Sequence, residues 1–176
     1  MNSTVSHDRC GLAQPRRTRE RVWAALLMAL LWLPTAPVCA FEGVNFSLAG
    51  LDGKTYVLEA FRGQWVIVNF WATWCGTCID EMQALQSFAA ANANAQVLAV
   101  NFEEIEVERL TTFVADLKLS FPILLVADTP LVPFEPLKGL PTTAIVNPAG
   151  ELVAHHTGAV TRDALERFIA AEQAAR

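Results

Sequence analysis

The chain has 176 residues, with 13 Lys and Arg against 18 Asp and Glu, a formal net charge of −5, and 53% hydrophobic residues. That length fits one domain behind a leader. The acidic balance, with Lys and Arg scattered singly after the leader, excludes neither catalysis nor protein partners, but argues against nucleic acid and against an anionic membrane surface.

The first forty residues read as a leader. Arg16, Arg17, Arg19 and Arg21 form a basic start, Val22 to Leu33 is an unbroken apolar run, and Pro34-Thr35-Ala36-Pro37 breaks it. Val38-Cys39-Ala40 places small residues at the −3 and −1 positions before Phe41. This is the pattern of a secretory signal peptide over 1–40. It predicts export across the inner membrane to the periplasm. An uncleaved N-terminal anchor is the alternative, although a spanning helix needs about 20 apolar residues. Neither a twin-arginine signal at Arg16-Arg17 nor lipidation at Cys39 is expected, because the flanking residues do not fit. Removing 1–40 leaves eight basic and 16 acidic residues, a net charge of −8.

The remaining residues, 41–176, predict one folded domain. Phe46-Ser47-Leu48 and Tyr56-Val57-Leu58 flank Leu51-Asp52-Gly53-Lys54, a hairpin signal. Trp65 to Ala72 is apolar almost throughout, as a strand covered on both faces is. Thr77 to Ala91 has helical spacing, with Met82, Leu85, Phe88 and Ala89 on one stripe. A strand over Gln96–Phe102, a helix over Glu106–Lys118 and a strand over Pro122–Val126 follow. That helix turns Leu110, Phe113, Val114 and Leu117 inward. Pro130, Pro133 and Pro136 predict an irregular loop over 128–138. Thr142–Asn147 and Glu151–Thr157 pair across Pro148-Ala149-Gly150, and Thr161 caps a closing helix to Ala174 that buries Ala164, Leu165, Phe168 and Ile169. The alternation predicts an α/β fold: a central mixed β-sheet flanked by helices on both faces, with an added N-terminal β-hairpin.

The chemistry concentrates at Trp74-Cys75-Gly76-Thr77-Cys78, where the apolar strand runs into Cys-x-x-Cys and then into a helix. A helix N-terminus offers unpaired N–H groups and partial positive charge, which favour a thiolate. A zinc site would need a second ligand pair, and none follows. A purely structural bridge closing so short a loop would constrain the unfolded chain little. The redox reading is therefore preferred.

From Val66 to Cys78 the chain resembles the thioredoxin superfamily, and Gly139-Leu140-Pro141-Thr142-Thr143 resembles that family's cis-proline loop. The leader, the N-terminal hairpin and Glu81 three residues after Cys78 make it most similar to the secreted TlpA/ResA/DsbE-type thiol-disulfide oxidoreductases, which include cytochrome c maturation proteins. The resemblance implies a thioredoxin fold over 41–176 and a cis bond before Pro141 set against the cysteine pair. Three positions depart from the pattern. Asn69 stands where thioredoxin has a buried Asp, and Thr77 and Gln83 stand where prolines are common in the group.

Cys75, at the helix start, is the expected nucleophile, and Cys78 the buried resolving thiol. Glu81, one turn beyond Cys78 on the same face, is the candidate proton partner, against the alternative of a solvated carboxylate in the first turn. Pro141 is expected to shape the partner surface. Trp74, Gly76, Thr77, Leu140 and Thr142 are the expected substrate contacts, Leu140 and Thr142 through their backbones. Trp71 reads as core. His155 and His156 read as a solvated strand edge, and Glu103, Glu104, Glu106 and Glu108 as a solvated helix start or a selector of basic partners.

The expected partners are protein disulfides or dithiols and a membrane electron donor; no cofactor, no metal and a monomer are expected. Three functions compete: a reductant of protein disulfides, for cytochrome c or copper-site cysteines; an oxidant of the same fold; and a copper carrier using the same two thiols. The carrier is weakened because Met82 is the only methionine outside the leader.

Overall fold

The computed structural model describes residues 43–126, 134 and 136–175. The leader expected over 1–40 lies outside these residues, as does most of the loop expected over 128–138. Among the described residues the strands are β1 (Ser47–Gly50), β2 (Thr55–Val57), β3 (Trp65–Trp71), β4 (Ala95–Asn101), β5 (Ile123–Leu125), β6 (Thr142–Val146) and β7 (Leu152–Thr157). The α-helices are α1 (Gly76–Ala91), α2 (Val107–Leu117) and α3 (Arg162–Ala174). One element was not expected from the sequence, a 3-10 turn over Leu58–Phe61.

The strands form one mixed sheet in the order β2-β1-β5-β4-β3-β6-β7. β3 pairs parallel with β4 and antiparallel with β6, so it lies inside the sheet, and all seven of its residues are buried. The N-terminal hairpin is part of the same sheet, because β1 pairs antiparallel with β5 through Ala49–Leu125 and Gly50–Leu124.

Alternation along β3 divides the core. Trp65, Ile67 and Trp71 pack in a cluster with Met82, Leu85 and Phe88 of α1, Leu110 of α2 and Leu165 of α3. Val66, Val68 and Phe70 pack in a second cluster with Phe46, Leu58 and Phe134. Both faces are covered, but the three described α-helices all take the first one. The reason is handedness: β3-α1-β4 and β4-α2-β5 are successive crossovers in the same direction, and right-handed connections place both helices on one side. The 3-10 turn, the residues before β1 and the segment around 134–140 cover the other side. In that segment the Phe134 ring lies 6.0 Å from Phe46 and 5.8 Å from Phe70, centroid to centroid.

Helix burial follows the expected stripes with one correction. In α3, Leu165 is buried and Phe168 and Ile169 are half-buried, but Ala164 is exposed. It sits in the first turn, where Thr161 accepts its N–H at 3.2 Å. Gln83 and Gln86 on α1 reach the end of α2. Gln83 donates to the Leu117 carbonyl (3.3 Å), and Gln86 exchanges two hydrogen bonds with Ser120 (2.8 Å each).

Candidate active site

β3 ends at Trp71, and four residues later Cys75 is the N-cap of α1. Its extended backbone (φ −91°, ψ 97°) lets its sulfur accept the Cys78 N–H at 3.2 Å, which satisfies one of the orphan donors of the first turn. Cys75 and Cys78 form a disulfide with Cα atoms 5.2 Å apart. Their surroundings differ. Cys75 keeps 8% of its surface, whereas Cys78 has none. Trp74, Gly76 and Thr77 around Cys75 are exposed, Trp74 at 71%. A Cβ on Gly76 would meet nothing within 4 Å, so the approach over that residue is open.

Glu81 lies in the second turn of α1, not the first, and it is not solvated. It is 3% exposed and faces the sheet. Oε1 accepts from Asn69 Nδ2 at 2.8 Å, and Oε2 accepts from the Val160 backbone N–H at 2.8 Å. Asn69 also donates to Thr143 Oγ1 at 3.1 Å. Burial pushes the Glu81 carboxyl above its ordinary value, opposed by the Val160 N–H, by the Asn69 amide and by the nearby His156. Asn69 therefore does more than replace a carboxylate. It is the polar residue of a buried apolar strand, and its amide holds a carboxylate contributed by the next helix. Its own Oδ1 is buried without a hydrogen-bond partner among the described residues, a cost that the two bonds from Nδ2 offset.

A second carboxylate departs from expectation. Glu103 is half-buried, and it accepts the Thr73 N–H (2.9 Å), the Thr73 hydroxyl (3.3 Å) and Asn101 Nδ2–H (3.0 Å). Glu104, Glu106 and Glu108 are exposed, as expected for all four. Nothing local in the sequence separates Glu103 from them. The difference is its place two residues after Asn101, which is the Cα partner of Trp71 at the end of β3.

The Leu140–Pro141 bond is cis. Phe70 is the Cα partner of Thr142, so Pro141 immediately precedes β6 at the end of the sheet where β3 runs toward Cys75. Pro141 is buried and Leu140 half-buried. The Pro141 carbonyl accepts the Gly158 N–H at 2.8 Å. Thr142 is fully buried; its hydroxyl donates to the Gly139 carbonyl at 2.7 Å, so its side chain pins the proline loop instead of facing outward. His155 and His156 are both exposed on β7, and Trp71 is core.

A mixed sheet, a Cys-x-x-Cys bridge at a helix start and a cis proline at the same sheet end define a thioredoxin-fold dithiol protein. The chain belongs to the AhpC/TSA family, whose model matches residues 42–155. It is 33% identical over 130 residues to the thiol-disulfide oxidoreductase ResA of Halalkalibacterium halodurans, covering 73% of each chain. Among solved structures it is similar to the exposed lipoprotein thioredoxin Etrx1 of Streptococcus pneumoniae, with a TM-score of 0.65 and 28% identity over 72% of this chain and 98% of that one. It is also similar to StoA of Bacillus subtilis, with a TM-score of 0.63 and 26% identity over 72% of this chain and 97% of that one. The protein is a thiol-disulfide oxidoreductase of the ResA type.

Proposed function

We propose that the protein works outside the cytoplasm as a reductant of disulfides in partner proteins, with Cys75 as nucleophile and Cys78 as resolving thiol. The observation that carries this is the asymmetry of the pair: Cys75 keeps 8% of its surface at a helix N-terminus among exposed neighbours, and Cys78 is fully buried one turn from a buried carboxylate. In the reduced protein the Cys75 thiolate attacks a partner disulfide. A Cys75–partner S–S bond forms, and the other partner sulfur leaves with the electron pair. Cys78 then gives its proton to Glu81 and attacks the Cys75 sulfur. The second partner thiolate leaves, and the Cys75–Cys78 bridge remains. Two electrons pass to the partner, and a dithiol donor, on this reading a membrane protein, must restore them. Pro141 shapes the docking surface, Leu140 and Thr142 offer backbone groups to an extended partner segment, and Trp74, Gly76 and Thr77 contact it.

The substrates proposed are paired cysteines that must be reduced before haem attachment or copper loading. The oxidant reading uses the same atoms with the electrons moving the other way. Equilibration of the pair against glutathione separates the two: a potential below that of the compartment supports a reductant, and one above it supports an oxidant.

Trapping tests the roles. Cys78→Ser is expected to accumulate mixed disulfides through Cys75, while Cys75→Ser traps little; equal trapping by both would overturn the assignment. Identification of the trapped partners tests the substrate class. The extracytoplasmic placement is supported by the leader pattern and by the description of the pneumococcal relative as an exposed lipoprotein. No described helix is long and apolar enough to cross a membrane. N-terminal sequencing of exported protein is expected to begin near Phe41; full-length chain in the membrane fraction would favour the anchor.

A further inference from the structure

The stretch Ala72–Trp74 carries the chain from β3 to the N-cap cysteine, and besides the packing of the buried Ala72, hydrogen bonds at two places hold it. One is local: the Cys75 N–H donates to the Ala72 carbonyl at 3.2 Å. The other spans 30 residues. Glu103 accepts the Thr73 N–H through Oε1 at 2.9 Å and the Thr73 hydroxyl through Oε2 at 3.3 Å. Asn101, fully buried at the end of β4, donates to the same Oε1 at 3.0 Å and so orients the carboxylate. Hydrogen bonds to an ionised acceptor are shorter and stronger than neutral ones. This clasp ties the exit of β4 to the residue that precedes Trp74-Cys75.

We infer that Glu103 is a positioning residue for the Cys75 nucleophile: by fixing Thr73 it sets the direction in which Cys75 and the exposed Trp74 meet a partner disulfide. The inference rests on the reading of Cys75 as the attacking thiol. Glu103 exchanges no bond with the substrate. The Cys75 sulfur forms the new S–S bond as the distal partner sulfur departs with the electron pair, and Glu103 acts only through Thr73. Displacement at a disulfide needs the three sulfurs in line, so an error in the pose of this short loop is expressed in rate. A side chain that merely supported the fold would be expressed in stability.

The test compares the full chain with Glu103→Ala, Glu103→Gln, Glu103→Asp and Thr73→Val. Two properties are measured: reduction of a disulfide-bonded peptide, resolved into kcat and KM, and amide hydrogen exchange at Thr73 in the oxidised protein. Glu103→Ala is expected to slow reduction about tenfold, the scale of one charge-assisted hydrogen bond expressed at the transition state. It is also expected to release the Thr73 amide to fast exchange while the melting temperature stays near that of the parent. Glu103→Gln keeps an amide oxygen for the Thr73 N–H and is expected to recover the rate to within about threefold. Thr73→Val removes the hydroxyl contact alone and is expected to slow reduction about twofold.

The inference is overturned if Glu103→Ala reduces at the parent rate, if the Thr73 amide stays protected in it, or if Glu103→Gln is as slow as Glu103→Ala. If Glu103→Ala does not fold, Glu103→Asp takes its place: one methylene shorter, it must still expose the Thr73 amide and slow reduction. A parent protein that leaves the peptide disulfide intact would overturn the proposed function, while the amide readout would still judge the clasp.

Discussion

Glu81 has both oxygens engaged by donors and almost no water, and its burial holds its pKa above the ordinary carboxylate value. The folded state therefore binds that proton more tightly than the unfolded chain does. The sign follows from linkage: the stabilisation is fully present below the ordinary carboxylate range and is lost as pH rises through the raised folded value. Glu81→Gln stays neutral throughout. Its denaturant midpoint, followed across pH, is expected to lack the fall that the parent shows over that window. The same substitution is expected to slow the second, resolving half of disulfide exchange and to shift the pH profile of thiol alkylation, because the buried Cys78 loses its proton acceptor. Superimposable midpoints and alkylation profiles would remove Glu81 from the chemistry.

At the scale of elements, the start of α3 joins stability to the site. Thr161 caps the helix by accepting the Ala164 N–H, and the preceding Val160 fills the second oxygen of Glu81. Thr161→Ala is expected to cost about 1 kcal/mol, read from the denaturant midpoint. If the frayed cap also loosens Val160, the Glu81 carboxyl moves further up, which a pH titration of that variant will show. These elements were legible because their signals are local. The almost wholly apolar run of β3, the stripe of Met82, Leu85 and Phe88, and the Thr161 cap are each written within a few consecutive residues. The positions of Glu81 and Glu103 were not. Spacing placed Glu81 beside Cys78, but its burial depends on Asn69 of β3 and Val160 before α3, 12 and 79 residues away. Glu103 stands among four acidic residues alike in sequence, and only the pairing of β3 with β4 selects it.

At the scale of the whole molecule, the sheet is protected unequally. Among the described residues, one face has three helices, and the other has short pieces of which Phe134 is the most deeply buried aromatic outside the strands. Phe134→Ala is expected to cost about 3–5 kcal/mol, as for other buried aromatic truncations. A denaturant midpoint close to that of the parent would show that this cover adds little. The bond from Val160 to Glu81 carries a different kind of consequence, one of timing. Both thiols are synthesised and delivered well before the residue that anchors the carboxylate between them and α3. Contacts of such long sequence separation form late, because the loop between them must close first. A newly made chain would thus expose its Cys-x-x-Cys pair before Glu81, the proposed proton partner, is anchored, open during that interval to pairing with whatever sulfur it meets.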